Sequence, residues 1–238
     1  MACPGALFFQ FAYSESIFLF LCLLALIFIE RGQNGKAAGA AFLLAVCRPQ
    51  GILAAPALWY AWAKQPGGRR EIVRNWAFLA APLAGYAAYL GIMKAATGSA
   101  LDGFRVFHDL YPFAPSPLKI FDLREFLAAL TDLRCVHGYL GSLLDRLWLI
   151  PLFGALWAMA RRERLYFAYT AAVGLIPAVT LSFISYTRYF VLAFPVFIVA
   201  GEALAHENRA WPRRLLIGAM IGVQAILLIR HANNYWAG

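Results

Sequence analysis

The chain has 238 residues, 62% of them hydrophobic and 14% charged, with a net charge of +9. A soluble domain carries about 25% charged and 45–50% apolar residues, so the composition excludes an ordinary soluble protein and points to an integral membrane protein. The positive charge would suit nucleic acid, but 12 of the 21 Lys and Arg fall in four short clusters (31–36, 64–74, 161–164 and 207–214) between apolar runs; that is the positive-inside arrangement of a polytopic protein, and it argues against a nucleic-acid partner.

The apolar runs are continuous and do not alternate, so the expected fold class is all-α, a polytopic membrane helix bundle. A spanning helix needs about 20 residues. In chain order the spans are expected at 16–30, 75–94, 141–160, 165–183, 190–205 and 215–230, six in all, within one transmembrane domain covering 1–238. With the basic clusters inside, residues 95–140, the SYTRYF stretch at 185–190 and the C-terminal HANNYWAG fall outside.

The stretch FQFAYSESIF at 9–18 places Tyr13, Ser14, Glu15 and Ser16 among apolar residues. Glu15 opens the first complete helix. A carboxylate in a first turn is favoured by the helix dipole, and Ser14 or Ser16 would cap free N–H groups. An ionisable side chain in apolar surroundings is equally a candidate functional group; on physics alone the two readings weigh the same.

Residues 37–63 join two basic clusters that both belong inside. One span would put Arg69, Arg70 and Arg74 outside, and 37–47 and 52–63 are each too short to span alone. Between them lies CRPQG, where Pro49 stops a helix and Gly51 permits a turn. The segment is therefore expected to be a re-entrant hairpin with Arg48 at its tip. Irregular backbone at membrane depth survives only where it is buried in protein or lines a wet cavity, which makes Arg48 a candidate site residue. An arginine that snorkels to the interface is the plainer alternative, for which a hairpin tip leaves little room.

In the outer segment, APSP at 114–117 is a connector. Leu118, Phe121, Phe126, Ala129, Leu130 and Leu133 make one apolar stripe of an outer amphipathic helix near 118–133, lying on the membrane or covering the bundle. Cys3, Cys22, Cys47 and Cys135 lack metal-ligand spacing, and a Cys3–Cys135 disulfide stays open. His108, His137, His206 and His231 are scattered over different loops and assemble no metal site or triad. There is no phosphate-cradling glycine loop and no dinucleotide fingerprint, so no cofactor is expected.

Three elements carry a resemblance: Tyr13-Ser14-Glu15-Ser16, then Arg48-Pro49-Gln50-Gly51, then TRYFVLAFPVF at 187–197 with Arg188, Tyr189 and Pro195. In this order they resemble the PIG-V family of mannosyltransferases, membrane glycosyltransferases of GT-C type. The resemblance implies a GT-C-like bundle that moves a sugar, mannose, from a polyprenyl- or dolichyl-phosphate donor to an acceptor hydroxyl on the outer or lumenal side, the acceptor being a glycan or glycolipid of unspecified identity. It implies Arg188, and Arg48 from within the bundle, as partners of the lipid phosphate, with Tyr13 and Tyr189 beside them. Glu15 organises the site, and Asp102 and Asp109 are candidate acceptor contacts. Such enzymes carry a catalytic Asp in the first large outer loop, ahead of YSES. Here only a dozen residues precede that motif, so a truncated member or fragment is expected, lacking the first helix, its loop and the catalytic residue. The composition favours a bacterial inner membrane over the endoplasmic reticulum. Two rivals remain: a transporter or flippase-like protein using Glu15 and Arg48 as a gate or coupling pair, and a membrane scaffold without chemistry.

Overall fold

A computed structural model of the chain describes residues 3–9, 13–65, 76–103, 105–106, 123–180, 183–205 and 210–237. Among these residues the protein is all-helical; the one β-type pairing is an isolated bridge between Cys135 and Ser142. The chain packs as two compact units, one formed by Ser14–Phe113 and the other by Met1–Tyr13 with Ala114–Gly238.

In the Ser14–Phe113 unit, α1 (Glu15–Glu30), α2 (Asn34–Cys47), α3 (Ala55–Ala63) and α4 (Trp76–Thr97) follow one another. The α1 residues Phe18, Leu21, Cys22, Ala25 and Ile29 are buried, the three-to-four spacing of one helix face. Gly32, at φ +66°, ends the helix in the left-handed conformation that glycine adopts without strain, and the chain turns back into α2. The buried face of α2 is small: Ala37, Ala40, Ala41, Leu44 and Ala45. Small residues let helix backbones approach closely, and α4 uses this: a Cβ on Gly85 would collide with the carbonyl of Phe42.

The break expected within 37–63 is present. α2 stops at Cys47, Arg48 is extended at φ −153°, ψ 131°, and a 3₁₀ segment Pro49–Ala54 leads into α3. The proline ring disfavours the helical conformation of the residue before it, which accounts for the stop. Gly51 then tucks against α2 so closely that any Cβ would meet the Leu44 carbonyl.

In the other unit, Pro4–Phe9 forms a 3₁₀ segment. Leu143–Ala160 follows a loop, Arg164–Thr170 continues through a π turn Ala171–Leu175 into Ile176–Thr180, and Tyr186–Phe190, Pro195–Leu204 and Ala210–Ala232 complete the chain. Leu149, Leu152, Leu156, Phe183, Tyr186 and Phe190 lie in its core. The outer amphipathic helix is seen at Leu123–Thr131. Phe126, Ala129 and Leu130 of its stripe pack on this core, so the helix covers the bundle on that side, while Leu123 and Leu127 are exposed. Residues 118–122 of the expected helix lie outside the described residues.

Of the six expected spans, three are helices long and apolar enough to cross a bilayer: Phe78–Thr97, Leu143–Ala160 and Ala210–Ala232. Few residues of the last are buried, and Leu215, Ile217, Ile221, Ile226, Leu228 and Ile229 are exposed, as a lipid-facing helix requires. The expected 16–30 span is helical over 16 residues, about 24 Å at 1.5 Å per residue, against a hydrocarbon core of about 30 Å. The expected 190–205 span is interrupted: Tyr186–Phe190 ends before a turn, and Pro195 starts a new helix at a position that suits its fixed φ and missing N–H.

The close packing at Gly51 generates a prediction. Gly51→Val should lower unfolding stability in detergent by about 1–3 kcal/mol, the usual cost of overpacking. Gly39→Ala, whose Cβ would have nothing within 4 Å, should be neutral or stabilising by up to about 1 kcal/mol. Equal melting temperatures for the two variants would contradict the close approach of Pro49–Ala54 to α2.

Candidate functional site

Two arginine-centred arrangements emerge, one in each unit. In the first, α1 and α2 run antiparallel about the turn at 31–33, so the first residue of α1 and the residue after α2 meet at the open end. There Arg48 Nη1 donates to Glu15 Oε1 at 2.6 Å, and Arg48 Nε donates to Gln50 Oε1 at 3.2 Å. The Glu15 side chain is fully buried and that of Arg48 is 7% exposed. The capping explanation of the YSES stretch is corrected for Ser14: it stands at the N-cap without a side-chain cap bond. Glu15 is instead placed by its countercharge, because a lone buried carboxylate costs several kcal/mol.

The second arrangement is built around Arg188. Phe183 and Ser185 have positive φ, 65° and 56°, conformations that non-glycine residues enter only when their surroundings impose them. They set the short helix Tyr186–Phe190, from which Arg188 lays its guanidinium over the Tyr13 ring at 4.1 Å, with Phe8 at 5.8 Å. Phe8 and Tyr13 meet edge to face at 5.7 Å. The Pro4–Phe9 segment seats against the arginine's own turn, close enough that a Cβ on Gly5 would strike the Thr187 carbonyl and Val191.

Tyr186, two residues before Arg188, is fully buried, and its hydroxyl donates to the Gly174 carbonyl at 2.9 Å. Burial raises its pKa, with the nearby Asp145 carboxylate adding to the effect. Tyr189 is half-buried against the same core. Asp102 has a local partner, Arg105, at 3.7 Å in an exposed i,i+3 pair, a contact of little energetic weight. Asp109 lies outside the described residues. Cys3 and Cys135 are free thiols, the first buried and the second exposed. Among the described residues no group of three or more His, Cys, Asp or Glu could hold a metal ion.

Sequence reasoning passed over Asp145, which is fully buried. Its Oδ1 accepts from both the backbone N–H and the hydroxyl of Thr187, each at 2.6 Å. Trp148 Nε1 donates to the same hydroxyl at 2.9 Å. Asp145 Oδ2 stands 3.7 Å from His137 Nδ1, and Ser142 Oγ lies 3.0 Å from that same nitrogen. A signal for Asp145 does exist: Ser142-Leu143-Leu144-Asp145 has the capping-box spacing, and Ser142 Oγ accepts from Asp145 N at 3.3 Å. In an ordinary capping box the acid reaches back to the cap. Here it reaches to Thr187, 42 positions along the chain, which local spacing cannot announce. Arg146, beside it, is buried and donates to the carbonyls of Ala129 and Ser142.

The class these features define is an all-helical protein with helices of membrane-crossing length and two anchored arginines. Comparison with protein-family models, with curated proteins and with solved structures finds no match.

The Glu15–Arg48 contact predicts a characteristic pattern. Glu15→Gln or Arg48→Met alone should each destabilise the protein by about 3–5 kcal/mol, because each strands one buried charge, whereas the double variant should recover most of the loss. Thermal unfolding in detergent measures this, and additive losses in the double variant would show that the two side chains do not depend on each other.

Proposed function

We propose that the chain is a membrane glycosyltransferase of PIG-V type, or the greater part of one. It takes a sugar, mannose, from a polyprenyl- or dolichyl-phosphate donor and serves an acceptor on the outer or lumenal side. One observation carries the reading: the first of the three family-like motifs supplies a contact to each of the other two. Glu15 meets Arg48, and Tyr13 meets Arg188. A scaffold without chemistry gives no reason for a motif residue to take another motif's arginine as its partner within each unit.

In this reading the residues divide their work. Glu15 and Arg48 neutralise each other and hold the break at Pro49, so Arg48 organises the site instead of binding phosphate. Arg188 is the phosphate partner. Its guanidinium lies over the Tyr13 ring, and a guanidinium carries its donors in the planar fork that matches two phosphate oxygens. The Arg188 turn lies at the headgroup level of a membrane with the basic clusters inside, which suits a bacterial inner membrane. In this reading residues 37–63 form a re-entrant hairpin within a GT-C-type bundle. The buried Glu15–Arg48 pair is also the one observation that favours a second reading, a transporter using it as a coupling pair.

Two tests address this function. Binding of a polyprenyl monophosphate in zwitterionic nanodiscs should weaken about 10- to 100-fold in Arg188→Ala, the value of one charge-assisted contact. Arg188→Lys should lose most of the same binding, since an ammonium lacks the planar fork. Excess inorganic phosphate and phosphatidylglycerol should compete weakly; equal competition, or full binding by Arg188→Lys, would mark Arg188 as a general anion contact. For topology, cysteines placed at Gly35 and Gly68 should react with an impermeant thiol reagent from the same side of the membrane, because both flank basic clusters. Labelling from opposite sides would replace the hairpin by a single span.

A further inference from the structure

Asp145 is fully buried and has no part in the proposed function. Ser142, His137 and Asp145 have the composition of a nucleophile relay, but the geometry rejects it. A relay needs its hydroxyl and its carboxylate on opposite ring nitrogens, whereas Ser142 and Asp145 both face His137 Nδ1. What the carboxylate does contact is Thr187, the residue before Arg188.

We propose that Asp145 is the positioning residue of Arg188, fixing the turn from which the guanidinium meets an anionic lipid phosphate. The inference rests on the phosphate reading of Arg188 and deepens it. Oδ1 takes both hydrogens that Thr187 offers, and hydrogen bonds to a carboxylate are about twice as strong as neutral ones. Trp148 closes the arrangement from the other side by donating to the Thr187 hydroxyl. Thr187 is fully buried, so water does not compete for these bonds. Two residues earlier Ser185 is left-handed, and Tyr186 is tied to Gly174. The turn is thus clamped just before Arg188, while the Tyr13 ring lies against its guanidinium. Fixing a flexible arginine in advance removes ordering cost from ligand binding. The carboxylate touches neither the guanidinium nor, in this proposal, the ligand.

A double-mutant cycle separates this role from general stabilisation. The probe is the same polyprenyl monophosphate in zwitterionic nanodiscs, with folding followed by size exclusion and thermal unfolding. Asp145→Val should weaken binding about tenfold, the scale of losing a buried hydrogen-bonded tie. In the Arg188→Ala background it should cost nothing further, because coupled residues are non-additive. The same loss in both backgrounds, or no loss with Arg188 present, overturns the proposal. If Asp145→Val does not fold, Thr187→Val carries the same cycle: it removes only the hydroxyl and should cost about threefold, again vanishing without Arg188. An unchanged affinity in Arg188→Ala would instead overturn the phosphate reading, which keeps the two failures distinct.

Discussion

A charge taken into apolar surroundings must take its partner with it. That constraint shapes the Ser14–Phe113 unit around Glu15 and Arg48. Neither could be buried alone without a cost of several kcal/mol, and together they sit within 2.6 Å at the open end of the α1–α2 hairpin. The pair dictates what surrounds it. α2 must end where Arg48 can turn to Glu15, and Pro49 ends it there. The chain beyond must fold back tightly, and Gly51 allows it. The alanine face of α2 lets the helices come close enough for the register to matter.

The other unit meets the same constraint by different means. Its buried cation, Arg146, donates to main-chain carbonyls, and one oxygen of its buried acid, Asp145, accepts both hydrogens of Thr187. The Asp145 bonds connect a segment 42 positions away to one short turn that follows two strained residues, Phe183 and Ser185. Strain of this kind costs about 1–3 kcal/mol per residue and persists where the surroundings over-determine it. Here the over-determination converges on the turn that presents Arg188, the side chain assigned the donor phosphate in the proposed function.

The two units hold their arginines in different ways. One arginine is neutralised and buried, where it holds a break in the helices. The other is stacked, half-buried and clamped from behind. In the proposed function a lipid-phosphate glycosyl donor needs a fixed cation for the charge on its leaving group, and that role is the one assigned to Arg188.

The sequence by itself determined the class of the protein. Continuous apolar runs admit only helices in a membrane, and the break at Arg48-Pro49 was legible because a proline acts on the residue before it. Glu15 and Arg48 stood out as charges in apolar stretches, and Arg188 through its motif. Only the tertiary structure decided who pairs with whom. The burial of Tyr186 and the reach of Asp145 to Thr187 arise from contacts between residues distant along the chain. Periodicity and propensity report what a segment prefers over a few turns; which charge finds which partner is set by packing, and packing is a property of the folded chain.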